Sequence, residues 1–576
     1  FIMKTAMTAM LLIVMAIFLA EPSQLLAQVP DTVYLSANFL GETGPTFDQV
    51  ISGDTTQTGE RVNPNRVYVL QQTGSVDTPF TYQDPIYINK NCNLTIIGKL
   101  NPITGMPPVI QPGIRQNNSS PANLMIVSVK ANITLKYIYF LGTRYDSTQV
   151  TGNVINVNAD SCSVTLDHMV IDESRGNLVN YVSNWSKFFM TNCEYRNISN
   201  QFWQTGNGMW INYGTPMDTV IINNNTFFCM SRCAFAGPSS YKYLLYEHNT
   251  NFLGAGAMIG SVYLSNEVMK NNIFYGVIAH GADSVYIKAK GPNGIAQGFG
   301  IIMMDSLGST SYAGTEAERK IDVEHNVYYW PQALVDFWKS VNDTAKGWVL
   351  VPPRWMNELT IDMFNDKTDW PGFYSANNDS VDPGFPQSLT GPAVDSLIKF
   401  VKLCGWNTPY GGIGNSGSYR WWQLPTNPYP GYIFAQVPST WKSWDDGYPV
   451  PENLKYTASL KGDDGLPLGD LNWFPGVTTG VNQASNSIPT TFSLSQNYPN
   501  PFNPTTVINY TVPKSSFVSL KIYNILGQEV ATLYQGLQKA GSYKANFDAS
   551  KLSSGVYLYR LQANGFNETK KMILMK

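Results

Sequence analysis

The segments Ile221-Ile222-Asn223-Asn224-Asn225, Leu245-Tyr246-Glu247-His248-Asn249, Val268-Met269-Lys270-Asn271-Asn272 and Asp322-Val323-Glu324-His325-Asn326 share one plan: apolar residues in alternation, then a polar turn ending in Asn. Upstream, Phe189-Met190-Thr191-Asn192-Cys193, Val164-Thr165-Leu166-Asp167-His168 and Ile133-Thr134-Leu135-Lys136-Tyr137 keep the alternation without the final Asn. The seven end at 137, 168, 193, 225, 249, 272 and 326, in steps of 31, 25, 32, 24, 23 and 54. A step of 23–25 with occasional insertions suits one coil of a parallel β-helix, and the 54 reads as two coils plus an insertion.

A short strand points alternate residues to one side, but a single coil has nothing to bury them against. Stacked coils share one core, so the repeat makes sense only as a solenoid. Asn225, Asn249, Asn272 and Asn326 are expected to form a ladder at the turn, since Asn tolerates left-handed backbone geometry and its amide can bond to the next one. Phe227, Phe252, Phe274 and Tyr328 follow the turns and are expected to stack inside. Thr32-Val33-Tyr34-Leu35, Val67-Tyr68-Val69-Leu70, Ile86-Tyr87-Ile88 and Leu94-Thr95-Ile96-Ile97-Gly98 read as earlier, less regular coils. Over about residues 30–330 the chain resembles the pectate-lyase-like family of right-handed parallel β-helices. That resemblance implies the fold; for a reaction it is weak.

After Trp330 the repeat stops. Ala333 to Val341 and Pro392 to Cys404 have helical spacing, and residues 331–473 read as a loop-rich, partly helical cap over the open end of the solenoid. Asp464-Gly465-Leu466-Pro467-Leu468-Gly469-Asp470-Leu471-Asn472-Trp473 resembles the closing segment of secreted β-helix proteins in the Bacteroidota. Residues 474–490 are nearly free of charge and read as a linker. From 491 to 576, strand-like runs recur at 8–14 residues, which predicts a small antiparallel Ig-like sandwich. Tyr498-Pro499-Asn500-Pro501-Phe502-Asn503-Pro504, Asn524-Ile525-Leu526-Gly527-Gln528-Glu529-Val530, Ser553-Ser554-Gly555-Val556-Tyr557-Leu558-Tyr559 and Lys570-Lys571-Met572-Ile573-Leu574-Met575-Lys576 appear in order. They resemble the type A C-terminal sorting domain of the type IX secretion system. The resemblance implies a Gram-negative host of the Bacteroidota–Chlorobiota–Ignavibacteriota group, the secretion machinery as a partner, and passage to the extracellular space or outer cell surface with removal of this domain.

Composition agrees with export. Charged residues are 14% of the chain, the net charge is −3 and aromatics are 13%, against about 25% charged in average domains. A weakly charged, slightly acidic chain excludes a nucleic-acid binder that works by phosphate neutralisation. Lys4 and the apolar run Ala6 to Ala20 read as a signal peptide over 1–27, and no later stretch is long enough to span a membrane. Of the six cysteines, Cys229 and Cys233 are close enough to pair, while most of the others read as small buried hydrophobes. Four His and no Cys-x-x-Cys give no structural zinc site.

For chemistry, a polysaccharide lyase needs an acidic Ca2+ cluster and an Arg or Lys base. Asp172, Glu194, Arg196, Arg232, Lys242 and Glu247 fall in successive coils, where stacking can gather them on one face. Glu194 and Glu247 would be metal or acid–base groups, and Arg196, Arg232 or Lys242 the base or charge stabiliser. The alternative is a solvated face with local ion pairs. The clustered Asp of an inverting glycosidase are not evident. Trp203, Trp210 and Tyr213, in the insertion between 193 and 225, offer flat faces for sugar rings, or else clamp loops; Trp421, Trp422, Trp441 and Trp444 do so in the cap. Two classes stay open: a polysaccharide-recognising or -processing protein, and a non-catalytic adhesive or filament-forming surface protein.

Overall fold

The computed structural model describes residues 32–37, 44–55, 61–72, 78–88, 92–103, 107–113, 125–128, 131–142, 153–172, 178–198, 210–212, 215–230, 235–254, 259–278, 282–283, 300–304, 307, 314–340, 350–351, 353–385, 391, 394–395, 397–398, 460–473, 481–485, 491–513, 516–538, 541–550, 552–563 and 566–575. The chain forms two units, 1–460 with 468–473, and 461–467 with 474–576. The expected signal peptide and the cap tryptophans lie outside the described residues.

The first unit is a three-faced parallel β-helix. Its first face stacks eleven strands: Thr32–Ser36, Val67–Gln71, Cys92–Lys99, Ala131–Lys136, Ser163–Asp167, Ser186–Thr191, Met217–Asn223, the second half of Phe235–Glu247, Asn266–Lys270, Lys320–Glu324 and Phe373–Ala376. The second face runs over nine strands from Phe80–Tyr82 to Val327–Tyr329. The third runs from Ile86–Ile88 to Arg354–Met356 and includes the first half of Phe235–Glu247, which turns the corner unbroken. Asn266–Lys270 pairs directly with Lys320–Glu324. The step of 54 is therefore one coil with an insertion, not two coils, because length alone does not separate the two cases. The first face continues to Ala376, past the point where the sequence repeat fades.

Between the first and second faces, every coil from Ala131–Lys136 onward spends two residues on the corner. The first of these is left-handed in eight coils: Tyr137, His168, Asn192, Asn224, His248, Asn271, His325 and Asn377, with φ between 51° and 62°. This corrects the register read from sequence. His168 aligns with Asn192, and Cys193 aligns one place on, with Asn225. The second corner residue carries the expected ladder. Asn225 Nδ2 donates to Asn249 Oδ1 at 2.9 Å, Asn249 to Asn272 at 3.1 Å, and Asn272 to Asn326 at 2.9 Å. Asn326 donates on to Asn378 at 2.9 Å, a rung the sequence reading did not include. Each Oδ1 also accepts the backbone N–H of the preceding rung, and the second amide hydrogen goes to a carbonyl such as Ile222 O or Tyr246 O. Cys193 takes the ladder position one coil earlier, where its Sγ accepts Met169 N–H at 3.4 Å.

The internal aromatic stack differs from expectation at one place. In the inward column Tyr195, Phe227, Asn251, Phe274 and Tyr328, the third member is Asn251. Tyr246 from the first face fills that gap, stacked on Phe227 and Phe274 at 6.2 and 6.3 Å, and its hydroxyl donates to Asn251 Oδ1. Phe252 instead points to the other side of its strand, where it stacks on Tyr275 at 5.1 Å beneath Phe385. One inward column holds a carboxyl: Leu244, Glu267 and Ile321 are neighbours in register, and Glu267 is wholly buried.

Helix Gln332–Ser340 forms where expected, burying Leu334, Phe337 and Trp338. In the second candidate, the described residues 394, 395, 397 and 398 are helical, as is residue 391 just before it. Phe47–Gly53, which sets Phe47 edge-on to Phe80 and Tyr82, and Glu358–Asn365, capped by the Asn357 side chain, were not read from sequence.

The second unit is an antiparallel β-sandwich. One sheet orders Val481–Ser485, Gly541–Asp548, Thr505–Val512 and Ser493–Leu494; the other orders Glu529–Gln538, Ser516–Asn524, Gly555–Ala563 and Phe566–Leu574. Alternation drives it: Thr506, Ile508, Tyr510 and Val512 are buried and their neighbours are not. Val481–Ser485 lies in the stretch read as linker. It adds an edge strand to Gly541–Asp548, because an open sheet edge pairs through the backbone and asks little of side chains.

Candidate functional site

The corner between the first and second faces concentrates the polar chemistry. Outward of each left-handed residue stands the column Lys136, Asp167, Thr191, Asn223, Glu247, Lys270, Glu324 and Ala376. Three coils thereby place a carboxylate directly before a histidine: Asp167-His168, Glu247-His248 and Glu324-His325. Asp167 is the hub of the first. It accepts from Lys136 Nζ at 3.1 Å, Thr191 Oγ1 at 3.3 Å and Asn192 Nδ2 at 3.2 Å, and lies 2.7 Å from His168 Nδ1. The His168 ring stacks on Tyr137 at 4.7 Å.

The residues named from sequence are distributed as follows. Asp172 and Arg196 are register neighbours on the second face, with Glu194 at the start of the same strand as Arg196. Asp172 is buried and accepts the Tyr139 hydroxyl at 2.8 Å. Glu247 is at the corner, its Oε2 taking Asn223 Nδ2 at 3.3 Å and its Oε1 lying 3.6 Å from Lys270 Nζ. Lys242 is at the opposite edge of the first face, roughly 16 Å along the strand from Glu247 at about 3.3 Å per residue. There it lies over the Trp185 ring at 4.3 Å and near Asp218. The fold thus gathers Asp172, Glu194 and Arg196, brings Glu247 within reach of the same corner, and leaves Lys242 apart. Trp210 is a strand residue of the third face between Val179 and Phe235. Arg232, Trp203 and Tyr213 lie outside the described residues.

Glu194 is buried, and the group above it comes from far along the chain. Leu468–Trp473 straps the corner. Asp470 Oδ2 accepts Thr226 Oγ1 at 2.7 Å, and Asp470 N–H donates to Thr250 Oγ1 at 2.9 Å. Leu471 N–H donates to Asn224 Oδ1 at 2.5 Å, and Gly469 N–H to the Asn271 carbonyl at 2.8 Å. Burial pushes the Asp470 carboxyl up to about 8, and the Glu194 charge adds to the push against the bonds from Thr226 and Asn472. Sequence reasoning marked this segment as a closing element but did not link Asp470 to Glu194; no local signal ties positions so far apart.

The described residues do not fit a Ca2+ site. Among them no cluster of three or more His, Cys, Asp or Glu is placed to hold a metal, and the carboxylates of Asp167 and Glu247 are taken by ammonium and amide donors. Among the described residues no helix is long and apolar enough to cross a membrane.

Residues 496–575, which make up most of the sandwich, match the family model for a secretion system C-terminal sorting domain. The sandwich is a sorting domain. This sorting domain directs export by type IX secretion to the outer cell surface or the extracellular space. No curated protein and no solved structure matches the chain.

Proposed function

We propose that the exported β-helix recognises polysaccharide along the outward side of its first face. The observation that carries this is a polar grid over three successive coils. Asn93, Thr95 and Ile97 align with Asn132, Thr134 and Lys136, and these with Ser163, Thr165 and Asp167. Its edge is held in place: Asn132 Nδ2 donates to Asn93 Oδ1 at 3.1 Å, and Ser163 donates to Asn132 Oδ1 from both N–H and Oγ. Hydroxyl and amide groups repeat at about 4.8 Å between coils, a regular array suited to the hydroxyls of a repeating sugar chain. Tyr34, well exposed, heads the column that leads through Val69 and Ile97 to Lys136 and offers a flat ring to a sugar.

A second reading, a non-catalytic surface or adhesive protein, is favoured by the engagement of Glu194 under the strap and of Glu247 with Lys270 and Asn223. One experiment separates them. Purified chain is assayed for retention on a panel of polysaccharides and for release of unsaturated uronate or reducing ends. Retention that Thr134→Arg lowers at least tenfold supports recognition at the grid. Release of products, lost in Asp172→Asn and Glu194→Gln, supports processing. No retention and no release on the whole panel leaves the surface-protein reading.

A further inference from the structure

In the sorting domain, five large apolar side chains are well exposed among the described residues: Tyr498 at 79%, Ile525 at 73%, Leu526 at 78%, Met575 at 57% and Val556 at 39%. They are not scattered. Asn524 is in register with Tyr557, and Gly555 with Leu574. The hairpin turn 525–528, the start of Gly555–Ala563 and the end of Phe566–Leu574 therefore share one end of the sandwich. Ile525, Leu526, Val556 and Met575 stand there. Tyr498 stands on the adjoining edge, where the stretch 496–502 runs beside the last strand through Asn500 Oδ1, which accepts Ile573 N–H at 2.9 Å.

These side chains are held on rigid backbone. Asn524 Oδ1 accepts both Leu526 N–H and Gln528 N–H at 3.0 Å, its Nδ2 donates to Gln528 Oε1, and Gly527 takes the left-handed conformation the turn needs, with φ 79°. Buried Phe502 accepts Met575 N–H at 2.9 Å and so fixes the last described residue. None of the five belongs to the buried core, which is complete without them. Each also lies in one of the four motifs by which the sequence resembles a sorting domain.

We propose that this end of the sandwich is the docking surface of the sorting domain, and that it inserts into an apolar pocket on a protein of the secretion machinery. The domain's identity names the partner's class. Size narrows it further: five exposed apolar side chains fall short of the roughly 20–30 residues a side that a stable second copy would bring to an interface. A small apolar contact suits a partner that must later let go.

The test uses the full chain in its secreting host. Ile525→Asp with Leu526→Asp should lower the extracellular and surface fraction at least tenfold, with protease-resistant full-length chain accumulating in the periplasm. Normal export of that variant would overturn the proposal. A photo-crosslinking residue in place of Leu526, in an otherwise unchanged chain, guards against misfolding as the cause. It should join the chain to a component of the secretion machinery, whereas the same probe at exposed Lys544, in mid-sheet, should not. Equal products from both positions, or products with lipid alone from position 526, would also overturn it.

Discussion

The two units place polarity in opposite ways. The β-helix puts polar groups inside: an Asn ladder runs through five coils, Glu267 sits in an inward column, and the strap buries its own Asp470 against the corner. The sorting domain has an apolar core and puts apolar groups outside, at one end and the edge beside it. In a solenoid, neighbouring coils look alike, and apolar alternation alone would let a coil slip; a buried amide that must meet its own kind penalises any slip with unpaired polar groups. The sandwich gets its register from hairpins and pairing of distinct strands, so its unusual residues are left for contact with something else.

Breaking the contrast at its largest point means removing one unit. Deleting residues 481–576 should leave the β-helix with unchanged cooperative unfolding, yet held in the periplasm; cell fractionation and denaturant titration check both halves. A truncated chain that still reached the medium would remove the sorting role. Next comes the ladder. Asn249→Ala removes the acceptor of both the Asn225 N–H and the Asn225 amide and the donor to Ile222 O in a dry interior, and should cost about 3–5 kcal/mol in urea unfolding. Cys193→Ala, which loses two weak sulfur contacts, with Met169 N–H and the Thr191 carbonyl, should cost only about 1 kcal/mol. Equal losses at the two positions would mean that the amides are ordinary core residues. The strap is weaker again: Asp470→Ala should cost about 2 kcal/mol, and Asp470→Asn, which keeps the shape and most of the bonds, less than about 0.5 kcal/mol. Protease resistance of the 460–473 segment reports it directly.

The smallest effect is on pH dependence. Burial pushes Glu267 up to about 8 against the opposing pull of Arg319, and burial with the Glu194 charge pushes Asp470 up to about 8. Both carboxyls hold a proton more tightly in the folded state, so between about pH 4 and 8 the folded chain carries more protons than the unfolded one. Their contribution is complete at low pH, below the ordinary carboxylate range, and is lost as pH rises through about 8. The β-helix should therefore lose stability across that window, and Glu267→Gln with Asp470→Asn should flatten the profile. A profile unchanged by both substitutions would place these carboxyls in contact with water.

The solenoid was legible because each coil must alternate to fold at all, and the sorting domain because its motifs are several and ordered. The errors have physical sources. Tyr137 and His168 end their segments at the first corner residue and Cys193 and the later Asn at the second, so without an Asn to mark the rung the two upstream coils were aligned one place out. Phe252 looked like its neighbours, but Asn251 holds the inward position and Tyr246 fills the space. The candidate site was least legible. Glu194 reads as a metal or acid–base group in its own coil, and Asp470, whose carboxyl feels the Glu194 charge, comes back to it from the far end of the unit. Sequence placed Lys242 and Glu247 on one face, and the strand that carries both sets them at opposite edges.

The two-residue corner has a practical consequence for rebuilding the molecule. From Lys136 onward every change in coil length falls on the other two corners, so coils differing by tens of residues still return to the same spine. Foreign loops grafted where the natural insertion already departs, beyond Ile278, should leave the spine in step. One extra residue between Asn224 and Asn225 should throw every later rung out of phase, turning core to solvent. The corner is where this chain counts, and the other two corners are where it can be rewritten.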